Sequence, residues 1–349
     1  MAINFSTWVT LTPLEERILD IFSENFDEQV EFDLIDPNPE PRGHWSDYVI
    51  GVAVMLQRAG YALSGARLQI RGEVPVGSGL SSSAALEVAT ACALVANSGH
   101  DIDRVELARL CRQGENEFVG ARVGIMDQFV SLHGQAKRAL LLDCRSLEYK
   151  LLPLSEDAQV VVCDTMVKHE LASSEYNQRR AECEAGVKHL AASLPNVTAL
   201  RDVTLEQLEK YGKDLTDVIF RRCRHVITEN ARVLEAGEAL QNKNLKAFGE
   251  LMSESHRSLR DDYEVSSRES DLMVELAIEV AGVYGARMTG GGFGGCTVNL
   301  VAKDKVSEFE RRIASGYEET TKLKPEIFLC EPADGAGEVT SDSVGQGMK

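Results

Sequence analysis

Residues 74–85 read VPVGSGLSSSAA: a strand runs into Gly77, Gly79 and three consecutive serines, and a helix follows. Glycines let the backbone approach a ligand closely, the first amides of a helix lack internal partners, and the helix dipole adds positive potential there. The segment suits an anion, with phosphate the natural guest. It is not the common phosphate loop, because Gly72 and Gly77 keep that motif's spacing while Ser78 stands where it requires lysine. Capping of the helix by Ser81, Ser82 and Ser83 is the alternative use, although three serines exceed what capping needs. Two carboxylates follow. Ser82 or Ser83 with Glu115 would supply the hard oxygens of a magnesium nucleotide site, and Asp127, in GIMDQF, would orient a phosphoryl-accepting hydroxyl and take its proton. By spacing alone, either carboxylate could instead be solvated or capping.

A second glycine cluster, Gly290, Gly292 and Gly295, formally satisfies GxGxxG. A strand-like CTVNLV follows it rather than a helix, and no acidic residue stands about 20 positions on in a matching unit, so a dinucleotide site is excluded. Residues 287–295, RMTGGGFGG, read instead as strand, loop and strand packing bare backbone against another surface. A hairpin with bulges is the alternative.

These residues need a scaffold. The 349 residues suffice for two domains, and 37 basic against 55 acidic residues give a net charge of −18, which repels nucleic acid and anionic lipid. The longest small or apolar run, residues 84–96, contains Glu87 and is too short to span a bilayer. The start, MAINFSTWVTL, lacks the layout of a secretory signal, so a cytoplasmic protein is expected. Eight cysteines without a CxxC pair read as reduced, packed thiols.

By pattern, residues 3–12 form a strand, 14–28 are ambiguous, 33–43 are a proline-rich loop, 45–59 a helix and 66–74 a strand. Helices are predicted over 82–97 and 102–118, with Glu115 near the end of the second and a turn at Gly120. Strands follow at 139–143 and 159–164, joined by a connection at 152–157, so the domains are expected as 1–154 and 155–349. Residues 179–253 and 270–283 read as helical, 287–288 and 296–301 as strands, with a last helix and strand through Cys330. The polar tail from about 332 is expected to fray. The irregular interleaving favours α+β over a doubly wound sheet.

Residues 74–89 and 287–296 are similar to the phosphate-loop and third motifs of the galactokinase, homoserine kinase, mevalonate kinase and phosphomevalonate kinase (GHMP) superfamily. GENEFVGARVGIMDQF (114–129), LASSEYNQRR (171–180) and SHRSLRDDYEVS (255–266) resemble galactokinases in particular. The resemblance implies a two-lobed GHMP kinase fold with its active site between the lobes. It implies phosphorylation of the anomeric C1 hydroxyl of D-galactose by ATP with Mg2+, giving galactose 1-phosphate and ADP, by a monomer. Carried over by motif, Asp127 faces the C1 hydroxyl, and Ser83 and Glu115 are magnesium ligands. Gly77, Ser78, Gly79, Leu80, Ser81, Ser82 and Ser83 surround the ATP phosphates. Tyr176 contacts the sugar, Gly124 lies beside its pocket, and Gly290 to Gly295 support the cleft. A kinase for N-acetylgalactosamine or L-arabinose, or a non-catalytic galactose and ATP sensor, are the other readings of the resemblance.

One departure stands out. Galactokinases carry, ahead of the strand matched by residues 1–10, a segment of the form GRxNLIGEHxDY, and these 349 residues contain none. Its arginine stabilises phosphoryl charge, and its Glu, His and Asp bind sugar hydroxyls. His44, Asp47 and Tyr48 in GHWSDY match a later helix and do not substitute. The expectation is a chain starting at an internal methionine, nearly inactive as it stands, with an arginine worth about 10³ in rate, whereas the complete gene encodes an active enzyme.

Overall fold

Alternation along β4 (Ala66–Gly72) builds a sheet centre: Ala66, Leu68 and Ile70 are buried and Arg67, Gln69 and Arg71 exposed. In the computed structural model, which describes residues 1–168 and 172–339, β1 (Thr7–Pro13) pairs antiparallel with β4 and β2 (Ile18–Ser23) pairs parallel with it. β3 (Glu28–Asp33) completes the order β1-β4-β2-β3. Residues 14–28, ambiguous by pattern, thus contain a strand, and the hairpin partner β3 had no signal. The charge that obscures β2 is neutralised across strands, where Asp20 accepts from Gln29 Nε2 at 2.5 Å and Arg67 Nε at 2.7 Å between fully buried Leu19 and Ile21.

Helices α1 (Ser46–Arg58), α2 (Ser82–Asn97), α3 (Arg104–Gln113) and α4 (Met126–His133) share one apolar core with this sheet, through Val49, Leu56, Ala91, Leu94, Leu110 and Phe129. The helix predicted over 102–118 is two pieces. α3 is capped by the Asp103 carboxylate, which accepts from the Val105 and Glu106 amides. A wider π-helical turn, Gly114–Val119, follows and closes on the Gly120 N–H bonded to Glu115 O. α4 was not foreseen: it spans eight residues and no side chain caps it at Ile125, so neither periodicity nor a start signal announces it. β5 (Arg138–Leu142) and β6 (Tyr149–Pro153) form a hairpin, so the connection expected at 152–157 begins with the end of a strand. The tail is anchored at its start, not frayed from 332. Pro332 bridges Ile3, Ala333 N donates to Ala2 O at 3.1 Å, and Gly335 N and Ala336 N donate to Gly134 O and Ser131 O. Residues 340–349 lie outside the described residues.

The second half builds an antiparallel sheet in the order β10-β7-β9-β8, from β7 (Ala158–Lys168), β8 (Val283–Met288), β9 (Gly294–Ala302) and β10 (Glu326–Cys330). α9 (Arg268–Ile278) and α10 (Val306–Thr321) pack on it around Cys163, Met273, Phe309 and Tyr317. The helix predicted to Val283 stops at Ile278, and Val283 instead opens β8 after Gly282 turns at φ 91°. α5 (Ala172–Ala191), α6 (Leu205–Tyr211) and α7 (Asp217–Gln241) enclose a second cluster about Leu190, Leu208 and Cys223. α8 (Leu245–Ser258) touches β8 backbone to backbone, since a Cβ on Gly249 would lie 1.9 Å from Tyr284 O.

The chain divides into two compact units. One comprises Met1–Val76, Ser81–Leu151 and the tail from Pro332, and the other Leu152–Glu331 with the short excursion Gly77–Leu80. The division near 151 lies close to the expected 154, but the chain also crosses between units after Val76, after Leu80 and after Glu331. Each unit joins helices to a sheet that is antiparallel or mixed, which is the α+β class and not a doubly wound one. All eight cysteines are free, with Cys144 exposed.

His225 on α7 is 5% exposed, its Nδ1 lies 3.0 Å from Ser258 Oγ, and its ring stacks on Tyr263. Burial lowers its pKa from 6.5 to about 4. The unfolded chain therefore binds this proton more readily than the folded one, and stability falls as pH drops through that interval. Relative to His225→Asn, the protein should lose about 2 kcal/mol between pH 7 and pH 5 in urea unfolding; equal slopes for both chains would contradict a neutral buried His225.

Candidate active site

The serine run opens α2 in an unusual way. Ser81 occupies the N-cap position in the left-handed region, φ 61°, and its side chain makes no capping bond. The capping alternative therefore fails for Ser81, whose side chain leaves the first amides of α2 uncapped. Ser83 is half-buried and its Oγ donates to Glu115 Oε1 at 3.3 Å, although 32 positions separate the two residues.

Glu115 is 6% exposed and rides on the π-helical turn. That turn is seated by two glycines: a Cβ on Gly114 would lie 3.0 Å from Gly51 C, and one on Gly51 3.1 Å from Gly114 O. Asn116, one residue on, clamps the following loop by donating to Val123 O at 3.2 Å and accepting from Val123 N at 2.9 Å. The loop holds exposed Gly124, whose surroundings are open, and delivers half-buried Asp127 to the first turn of α4, where the helix dipole favours a carboxylate.

Two further residues of this unit belong to the cluster, and neither was singled out by motif. Glu87, fully buried one turn along α2 from Ser83, and Glu115 both receive the Gln128 amide, at 3.0 and 2.7 Å. Burial pushes both glutamate pKa values up. The Glu115 charge raises Glu87 further and the Asp127 charge raises both, while bonds from Ser83 and Gln128 draw Glu115 back. The signal for Glu87 was present as the lone charge in residues 84–96.

In the other unit, Gly77 and Gly79 turn at φ 73° and 82°, and buried Ser78 is fixed by its backbone, its O accepting from Cys296 N at 3.0 Å. The surface against which the second glycine cluster packs is this loop. A Cβ on Gly295 would lie 2.6 Å from Ser78 O, and one on Gly290 2.9 Å from Gly79 O. The same cluster does connect hairpin strands, β8 and β9, so the two readings of RMTGGGFGG coexist. Tyr176 on α5 is exposed, with its ring edge 3.6 Å from where Gly291 would carry a Cβ. One turn along, Arg179 ties α5 down: it donates to Tyr263 O at 2.8 Å and Glu264 O at 2.9 Å and lies over the Phe293 ring. The structure thus groups Ser81, Ser82, Ser83, Glu115, Gly124 and Asp127 in one unit, and Gly77, Ser78, Gly79, Leu80 and Tyr176 in the other.

Among the described residues no set of three or more His, Cys, Asp or Glu is arranged as a metal cage, and no helix is long and apolar enough to cross a membrane. A nucleotide-borne magnesium needs no such cage, because phosphate and water complete its coordination.

Residues 47–135 match the family described as GHMP kinases N terminal domain and residues 237–319 the one described as GHMP kinases C terminal, which defines a GHMP kinase. A galactokinase of Roseiflexus sp. is 43% identical over 343 residues, covering 98% of this chain and 88% of that protein. One of Chloroflexus aurantiacus is 45% identical over 335 residues, 96% of this chain and 86% of that one. The crystal structure of Lactococcus lactis galactokinase complexed with galactose superposes with a TM-score of 0.93 at 36% identity, over 97% of this chain and 88% of that one. A mevalonate kinase, at 17% identity and TM-score 0.64, shares the fold. The chain belongs to the galactokinase family and is an ATP-dependent sugar kinase.

The two glycines differ in what a methyl group would meet. Gly290→Ala forces a side chain at φ 77° into the Gly79 backbone and should destabilise by about 1–3 kcal/mol while weakening nucleotide binding. Gly124→Ala meets open space and should shift stability by no more than about 0.5 kcal/mol. Thermal unfolding with a parallel ADP titration checks both.

Proposed function

We propose that the protein transfers the γ-phosphoryl group of ATP to the C1 hydroxyl of D-galactose, giving galactose 1-phosphate and ADP. The observation that carries this reading is Asp127, half-buried on α4, with its charge acting on the Glu115 carboxylate that Ser83 engages. Phosphoryl transfer asks mainly for positioning and charge neutralisation. The amides of Gly77, Ser78, Gly79, Leu80, Ser81, Ser82 and Ser83 receive the phosphates. Asp127 aligns the sugar hydroxyl and accepts its proton, Tyr176 contacts the sugar, and Gly124, bare of a side chain, leaves room for it. The galactokinase of known structure was solved with galactose, which supports that sugar here.

Ser83 and Glu115 suit Mg2+, since they offer a hydroxyl and a carboxylate, both hard oxygens, 3.3 Å apart. When bound, the ion would neutralise phosphate charge that the protein's net −18 otherwise opposes. Free thiols and the use of ATP suit the cytoplasm.

Made in a chain that carries the GRxNLIGEHxDY segment, Asp127→Asn should leave ADP affinity within about twofold and lower galactose turnover by about 10²–10⁴. Coupled ADP detection with galactose, N-acetylgalactosamine and L-arabinose measures turnover and settles the sugar. Retained turnover in Asp127→Asn would remove that residue from the catalytic role, and preference for another sugar would reassign the substrate.

A further inference from the structure

We propose that Gln128 is a positioning residue that holds the Glu115 carboxylate in the orientation that presents an oxygen to Ser83. Asp127 and Gln128 are neighbours in the first turn of α4, yet Asp127 is half-buried and Gln128 is 1% exposed, so one residue serves the ligand side and the next faces the interior. Gln128 Nε2 donates to Glu115 Oε2 at 2.7 Å and to Glu87 Oε2 at 3.0 Å, using both amide protons. Glu115 Oε1 is the atom left to Ser83, at 3.3 Å. The carboxylate is gripped at both oxygens and cannot rotate without breaking a buried bond.

The far end of the latch comes from the same helix as the serine. Ser83 and Glu87 stand four residues apart on α2 and so lie on one face. Ser83 takes one oxygen of Glu115 directly, and Glu87 holds the amide that takes the other. Three elements, α2, the π-helical turn and α4, are thereby registered on a single carboxylate.

Stability does not account for the arrangement. Gln128 Oε1 is buried without a hydrogen-bond partner, a cost that an apolar residue of equal size would avoid. An orienting role for the amide gives this polar side chain a purpose, because partners behind a metal ligand set its geometry and their loss weakens metal affinity by about 10–100-fold. The inference rests on the reading that Ser83 and Glu115 hold the nucleotide's divalent cation.

The test uses Gln128→Met, which keeps length and removes the donors, with Mn2+ as the probe. Free Mn2+ is followed by electron paramagnetic resonance in the presence of ADP, and ADP affinity is measured separately in EDTA. Mn2+ affinity of the ADP complex should fall by about tenfold or more while ADP affinity in EDTA stays within about twofold. Should Gln128→Met fail to fold, Glu87→Met releases the other end of the amide, and a loss of about threefold or more in Mn2+ affinity is expected. A folded variant with lowered melting temperature and unchanged Mn2+ affinity, in a protein where Glu115→Gln abolishes that affinity, overturns the role of Gln128 alone. A protein whose ADP complex binds Mn2+ equally well with and without Glu115→Gln overturns the metal assignment and this inference with it.

Discussion

The decisive constraint in the first unit is electrostatic. Glu87 and Glu115 are carboxyl groups removed from water and set against one amide, with the charge of Asp127 acting on both. Such a cluster is costly in a protein interior unless protons, donors or a cation compensate it. The surrounding architecture holds it in place. Gly51 and Gly114 let α1 and the π-helical turn approach at backbone distance, Asn116 pins the loop that follows, and α4 supplies the donor. The π-helical turn fits this picture, since an extra residue per turn re-aims a side chain without ending the helix.

The second unit meets a different demand with the same economy of side chains. Its phosphate-loop segment and its glycine hairpin touch through main-chain atoms at Ser78, Gly79, Gly290 and Gly295. At Gly290 and Gly295 a methyl group would fall within 3 Å of a carbonyl oxygen. The hairpin is itself anchored through Phe293, whose N–H bonds Val265 O at 2.7 Å and whose ring lies beneath Arg179. The main chain of Gly77 to Leu80 is thus held by neighbours that carry no side chain to obstruct it.

Much of this was legible in the sequence. α2 occupies the predicted residues 82–97, because a run of small residues followed by Ser98 and Gly99 leaves few alternatives, and β4 announces itself by strict alternation. The serines, Glu115 and Asp127 were candidates by type, and the roles of the two carboxylates came only from the family resemblance. What could not be read was pairing across distance: Glu115 meets Ser83 over 32 positions and Gln128 meets Glu87 over 41. β3 and α4 were missed for a related reason. Both are short, and each is held by tertiary partners more than by its own pattern. Glu87 was visible only as an interruption of an apolar run, whereas burial beside a second carboxylate gives it meaning.

The anchored start of the tail has a consequence for biosynthesis. Pro332, Ala333, Gly335 and Ala336 bond to Ile3, Ala2, Gly134 and Ser131, so the amino-terminal unit lacks these partners until more than three hundred residues have been translated. The last strand of the other unit, β10, is made only just before this tail. One of the first segments made therefore waits for one of the last before these bonds can form.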